Sequence, residues 1–361
     1  MNLTFLLPYA GMHGGIRVVA IYAQLLRDRG HNVNVISVTK KALGIKDTFR
    51  YIRQHKKWPS KRKKQGKTHF DQNDQSWTIL NHSGPITDHD LPDADVVIAT
   101  WWKTAEWLQY LSASKGIKFY FCQGYETHNA MSQKRAEATY RLDMKKICVS
   151  DWVRQQIRDL TGIYDQEVVE NGVDLHQFYQ SSKVIRDSEC FGFVFSDDHI
   201  KGADIIIGAL AIAKAKDPNI RAVAFGSEPP LTELPKWIEF HQNPPQEFIR
   251  QIYSQCCAWL FGSRSEGFGL PILEAMACKT PVIATPAGAA PDLISDACGC
   301  LVPAENKYYM AQKIIEFSKM SSIEWGDKSE SAYQKAIRSD WESSCSIFEK
   351  IILKELQKIG P

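Results

Sequence analysis

One stretch, SRSEGFGLPILEAMACKTPVIAT at 263–285, constrains this chain more than any other. The apolar run Ala258–Phe261 leads into it and reads as a buried strand. Gly267 and Gly269 then allow a backbone path that side chains would block, so main-chain N–H groups can approach a ligand closely. Pro271 suits a first helical turn, where a missing N–H costs nothing. A helix starting near Leu270 aims its free N–H groups and positive dipole end into the loop, which outlines a phosphate site. Its sequence ILEAMAC is apolar except for Glu274, and a carboxylate on a buried helix needs a partner. Ligand hydroxyls, such as those of a ribose, would serve. The ordinary alternative is a capped helix after a strand, found in many α/β proteins.

The rest of the chain repeats the same alternation of strand, loop and helix. Leu3–Leu7, the loop PYAGMHGG, a helix ending at Gly30 and the strand Val33–Val38 open a Rossmann-like unit. Ligands sit beyond the carboxyl ends of the strands in such sheets. The glycines do not spell Gly-x-Gly-x-x-Gly, so the dinucleotide fingerprint is absent and an NAD oxidoreductase is disfavoured. Further strands are expected at Asp95–Thr100, Ile117–Cys122 and Lys146–Ser150. The helix DWVRQQIRDLTG takes Asp151 as its N-cap, and Asn171-Gly172 reads as a turn. Strands at 191–196, 220–226 and 281–285, with intervening helices, build the second half. Asn243, Pro244 and Pro245 form a loop before an amphipathic helix, and helices through 305–337 and 340–358 close the chain. Trp101 and Trp102 at a strand end suit a sugar platform or core packing equally.

At 361 residues the chain accommodates two domains, and its charged and apolar fractions are those of a globular protein. A net charge of +3 does not call for nucleic acid. Nine cysteines without a Cys-x-x-Cys pair fit buried reduced thiols in a cytosolic protein. The first residues lack the basic lead and apolar length of a signal peptide, and no apolar run approaches the ~20 residues that span a bilayer. Residues 50–67 carry nine Lys and Arg and no acid. A solvated insertion and a peripheral surface for anionic lipid head groups are both open there; nucleic acid is a third option that nothing else in the chain supports.

The string SEGFGLPILEAMACKTPVIAT resembles the Glu-x7-Glu signature of the retaining glycosyltransferases of family four (glycosyl transferases group 1). The resemblance implies an α/β GT-B fold of two Rossmann-like domains facing across a deep cleft. The segment NGVD…F, beginning at Asn171, is similar to the family's link between the domains. The implied division is an acceptor-side domain at 1–178 and a donor domain at 179–339. The last helix, from Asp340-Trp341-Glu342, crosses back to the first domain. Gly14 and Gly15 match the family's Gly-Gly turn against donor sugar and phosphate, with His13 beside it. Lys201-Gly202 matches its Lys-Gly, whose lysine contacts the pyrophosphate; a surface lysine in a first helical turn is the ordinary alternative.

Two departures stand out. Ser196 occupies the place where relatives usually have a phosphate-binding arginine, and its loss removes about 1.5–3 kcal/mol of contact unless replaced. Gln123, Gly124, Tyr125 and Glu126 occupy a loop where many relatives have a histidine, and His128 lies further along. The implied catalytic set is Glu266, Lys201 and Gly15. The implied substrate contacts are Gly14, Gly15, Gln123, Gly124, Ser196, Lys201, Asn243, Pro244, Glu266, Gly267, Phe268, Gly269, Leu270 and Glu274.

The implied activity moves a hexose from a nucleotide sugar, with UDP favoured, to a glycan or lipid-linked saccharide, with retention and in polysaccharide or glycolipid synthesis. No cofactor and no metal are expected, because amides and Lys201 neutralise the pyrophosphate. Asp93–Asp95 and Asp197-Asp198 are the alternative carboxylates for a metal. A nucleotide-sugar binding protein without catalysis and an epimerase of similar fold are the competing readings. Two carboxylates arranged for hydrolysis are rejected, since Glu274 lies on the helix behind the phosphate cradle.

Overall fold

The computed structural model describes residues 1–359 apart from 10, 12, 40–68, 71–76, 128–131 and 183. The basic segment at 50–67 and His128 therefore lie outside the described residues. Packing divides the chain into two units. The first contains residues 1–148, 157–167 and 345–361; the second contains 149–156 and 168–344.

The first unit is built on strand β1 (Asn2–Leu7), helix α1 (Gly14–Asp28), β2 (Asn32–Ser37), β3 (Thr78–Ile79), β4 (Val96–Ala99), α2 (Trp102–Leu108) and β5 (Ile117–Cys122). Helix α3 (Gln133–Thr139), β6 (Lys145–Cys148), α4 (Asp151–Thr161) and β7 (Glu167–Val168) follow. The sheet order is β3-β2-β1-β4-β5-β6-β7, and β1 pairs in parallel with both β2 and β4. Strands buried on both faces read as unbroken apolar runs, as in Phe119–Cys122.

The second unit holds β8 (Asp187–Val194), α5 (Ala203–Lys216), β9 (Arg221–Gly226), β10 (Ile238–Gln242), α6 (Gln246–Gln255), β11 (Cys256–Phe261), α7 (Leu270–Ala277) and β12 (Val282–Ala284). It is completed by α8 (Ala290–Leu293), β13 (Gly299–Leu301), α9 (Lys307–Ser318), α10 (Ser322–Ala336) and the start of α11 (Trp341–Ile359). Its sheet, β10-β9-β8-β11-β12-β13, is also parallel and has the same winding as the first. Phe191, Phe193, Ile206, Leu210, Leu260 and Ile314 lie in its core.

Residues from Cys345 onward belong to the first unit. There Phe348 packs 4.8 Å from Tyr22 and 5.3 Å from Phe121, ring centre to ring centre. Its burial contributes about 1.5–3 kcal/mol. Glu349 accepts from Arg29 at 2.8 Å and meets His31 at 2.5 Å, which fixes this half of α11 beside the end of α1.

The structure corrects several local expectations. Ser150, not Asp151, caps α4: its Oγ accepts from Val153 N at 3.2 Å, while Asp151 pairs with Arg154. Asn171-Gly172 is not a turn but part of an extended segment; Val173 bridges Asp340. A Cβ on Gly172 would lie 2.4 Å from Trp341 N, so glycine serves a close backbone approach. The strand β10 had no expectation, and the helices expected through 305–337 are α9 and α10. All nine cysteines are buried and free. No helix among the described residues is long and apolar enough to cross a membrane.

Candidate functional site

In a doubly wound sheet the strand order reverses beside the first strand, and the loops leaving the two strands there diverge to open faces. In the second unit those strands are β8 and β11, which pair directly. After β8 comes a 3-10 turn, His199–Lys201, closed by Gly202 at φ 65°. After β11 comes the loop Gly262–Gly269. A Cβ on Gly202 would stand 1.8 Å from the carbonyl oxygen of Gly262, so the two loops touch through bare backbone. This contact brings Lys201 to Glu266: Nζ lies 2.7 Å from Oε2. Ser263 Oγ donates to the same oxygen at 3.4 Å, and Gly267 N reaches Oε1 at 3.4 Å.

Arg264, between these residues, fastens the loops together. Its N–H donates to Ile200 O at 2.8 Å and its guanidinium to His199 O at 2.6 Å. Both carboxylate oxygens of Asp204, in the first turn of α5, accept from it at 2.8 Å. Glu305 accepts at 2.5 and 2.9 Å. The hydrogen bonds from Arg264 hold the Asp204 carboxyl below the usual carboxylate range, and the two acids raise the guanidinium further.

The loop then delivers the helix start. Gly269 is the residue before α7 at φ 96°, a conformation L side chains rarely adopt, and Pro271 lies in the first turn. Ser150 Oγ donates to Gly267 O at 2.7 Å and Ala289 N to Phe268 O at 2.8 Å. With those carbonyls engaged, the peptide planes are set; Ile272 N donates to Gly269 O at 2.9 Å and Pro271 has no N–H, so the amides up to Leu270 are those that precede the first bond of α7. The site thus has a cation, a carboxylate and a helix start within one pair of loops. Ser265 Oγ is buried without a hydrogen-bond partner.

Glu274 is buried on α7 at 8% exposure. Its partner comes from the fold as well as from any ligand: Tyr253 OH, on α6, donates to Oε2 at 2.9 Å. Tyr253 is fully buried against Trp259, 4.4 Å between ring centres. Asn243 has φ 45°, donates its N–H to Gly226 O and its Nδ2 to Ser227 O, both at 2.9 Å, and leads into Pro244. Ser196 Oγ accepts from Asp198 N at 3.2 Å.

In the first unit, Gly14 and Gly15 are the opening residues of α1, not the loop turn expected of them, and His13 is the residue before the helix. A Cβ on Gly15 would lie 3.3 Å from Gln123 Oε1, a buried acceptor without a hydrogen-bond partner. Gly124 O accepts from Tyr140 OH at 3.1 Å. Glu126, with no assigned role from sequence, organises this loop. Its Oε2 accepts from Trp102 N at 2.7 Å and Tyr120 OH at 2.9 Å. Burial, outweighing those hydrogen bonds, pushes its carboxyl up to about 8. Trp102 is core, 4% exposed, whereas Trp101 is half-buried.

The alternative metal carboxylates are engaged within the fold. Asp93 pairs with Lys115 at 2.9 Å and Asp95 accepts from Asn2 N at 2.6 Å. Asp197 and Asp198 accept from Leu231 N and Ile200 N. Among the described residues no group of three His, Cys, Asp or Glu is placed to hold a metal ion.

Two parallel sheets of this winding, with the loop pair described above, define the GT-B class of glycosyltransferase fold. The Anabaena protein HepE, solved with UDP and glucose, matches 98% of this chain and 100% of its own, with a TM-score of 0.75 at 17% identity. Sucrose-phosphate synthase from Thermosynechococcus elongatus covers 98% of each chain with a TM-score of 0.72 at 15% identity. Residues 177–339 of the chain match the model of the family Glycosyl transferases group 1. An uncharacterized glycosyltransferase of Methanocaldococcus jannaschii is 29% identical over 180 residues, 48% of this chain and 49% of the relative. Such matches span half or less of the length of the curated relatives.

Proposed function

We propose that the protein transfers a hexose from a nucleotide sugar, with UDP favoured, to a glycan or lipid-linked saccharide, with retention at the anomeric carbon. The observation that carries this reading is the 2.7 Å pairing of Lys201 with Glu266 beside the start of α7. A pyrophosphate needs a cation and an array of amides; Lys201 and residues Gly267 to Leu270 supply them. Glu266 then stands next to the phosphates, where it positions the sugar and stabilises oxocarbenium charge. Glu274 binds the ribose hydroxyls, its orientation held by Tyr253. The backbone at Asn243 and Pro244 meets the base. Residues 1–178 are the acceptor side and 179–339 the donor side, with Gly14, Gly15, Gln123 and Gly124 on the former. The leaving phosphate oxygen takes the proton of the acceptor hydroxyl, so Glu266 need not attack. The UDP and glucose named for HepE support the choice of donor. A cytoplasmic enzyme in polysaccharide or glycolipid synthesis, peripheral at the membrane through 50–67, completes the reading.

The test incubates the protein with UDP-, GDP- and ADP-sugars, with and without acceptor extracts, and follows nucleotide release and nucleotide binding. Acceptor-dependent release from one donor is the expected result. Binding without release would leave a nucleotide-sugar binding protein, and neither binding nor release would overturn the proposal.

A further inference from the structure

We infer that Arg264 is a positioning residue that joins the Lys201 turn and the Glu266 loop into one rigid element, and that donor chemistry depends on this clasp. The inference rests on the roles proposed above for Lys201 and Glu266.

The two side chains leave neighbouring strands, and the sheet brings their loops side by side without fixing the distance between the side chains. Lys201 follows β8 and Glu266 follows β11, 65 positions apart in sequence. Their mutual ion pair is a weak fastener, since Lys201 is 38% exposed. Any donor that takes the lysine on its phosphates also removes that fastener. Arg264 supplies one that a donor does not compete for. Its bonds to His199 O and Ile200 O hold the two residues before Lys201, and it is itself two residues before Glu266. Asp204 receives both of its oxygens' bonds from the guanidinium, which anchors the clasp on α5. Glu305 anchors it on the segment after β13. A planar five-donor guanidinium can serve two carboxylates and a carbonyl at once, whereas an ammonium cannot keep that geometry. Arg264 is 17% exposed and both of its acids more than half exposed, so the cluster faces solvent rather than filling the core. The Gly202–Gly262 backbone contact explains the tight spacing, but a contact of two glycines has no side chain to lock it.

The test uses the full chain with Arg264→Gln, Arg264→Lys, Asp204→Asn and Glu305→Gln. Nucleoside diphosphate binding is measured by calorimetry, and turnover is expressed per nucleotide-binding site so that loss of folded protein is not counted. The expected result for Arg264→Gln is turnover lower by about tenfold or more, with nucleotide affinity within about threefold. Arg264→Lys should recover only part of the loss. Asp204→Asn and Glu305→Gln should each give a smaller loss that does not add to that of Arg264→Gln. Amide exchange at 199–204 and 262–267 should accelerate in every one of these variants, and this readout holds even if the donor assignment fails. Unchanged exchange in Arg264→Gln, or turnover per site equal to wild type in an active enzyme, would overturn the inference. Should Arg264→Gln not fold, the same exchange and turnover comparisons on the two carboxylate variants decide it.

Discussion

Lys201 Nζ and Glu266 Oε2 stand 2.7 Å apart, at the ends of two loops that leave neighbouring strands. Each charge satisfies the other, and the proposed function assigns each to a different part of the donor. A nucleotide sugar would have to separate them, the lysine moving to phosphate and the carboxylate to sugar.

Removal of either charge should therefore act on function far more than on stability. A half-exposed pair of this kind contributes about 0–1 kcal/mol to folding. Lys201→Gln is expected to weaken nucleoside diphosphate binding about tenfold, with a smaller salt dependence, and to leave the thermal midpoint within a few degrees. Glu266→Gln should keep nucleotide affinity and lose most turnover. Calorimetry and a turnover assay read both; full turnover by Glu266→Gln would remove that residue from the reaction.

Tyr253 and Glu274 make a second pair, buried rather than exposed. Hydrogen bonds to a charged group contribute about 1.5–3 kcal/mol. Tyr253→Phe should thus lower stability by about that amount and weaken nucleotide binding, because the carboxylate loses the group that holds its rotamer. Glu274→Gln should weaken binding more. Unfolding in urea and nucleotide titration separate the two effects. Equal affinities for wild type and both variants would mean that Glu274 does not meet the ribose.

Glu126 gives the fold a pH dependence. Its carboxyl is pushed up to about 8 in the folded protein, against about 4.3 for a solvated glutamate. Between those values the folded state binds the extra proton, so this contribution is complete below pH ~4 and is lost as pH rises towards 8. Both hydrogen bonds fall on Oε2, which leaves Oε1 to carry the proton. Glu126→Gln mimics that neutral form. It should flatten the fall in thermal midpoint between pH 5 and about 8.5 and match or exceed wild type at the upper end. A wild-type midpoint that rises over this range would contradict the assignment.

Local rules made some of this site legible. The glycine, proline and apolar pattern from Gly267 to Cys278 describes its own helix start, because caps and first turns are decided within a few residues. Lys201 before Gly202 and Glu266 before Gly267 are likewise neighbours of the glycines that shape their loops. The expectations that failed were also local, but undetermined at that scale. Ser150 and Asp151 are both good caps, and the choice fell to the residue whose oxygen also reaches Gly267 O. Asn171-Gly172 has the composition of a turn, yet Gly172 is spent on the approach of Asp340 and Trp341. Strand β10, IEFHQ, is too short and too polar to show as a buried run, and its pairing with β9 makes it a strand.

What the sequence determined by itself was the alternating α/β architecture, the helix start after Gly269 and the need of Glu274 for a partner. These depend on backbone freedom, periodicity and desolvation, all of which act along the chain. Only the tertiary structure decided who meets whom. Tyr253 reaches Glu274 across 21 positions, Arg264 reaches Asp204 across 60, and Lys201 reaches Glu266 across 65. Such pairs are set by which strands lie side by side in the sheet, and the reversal of strand order between β8 and β11 is what turns two distant loops into one site.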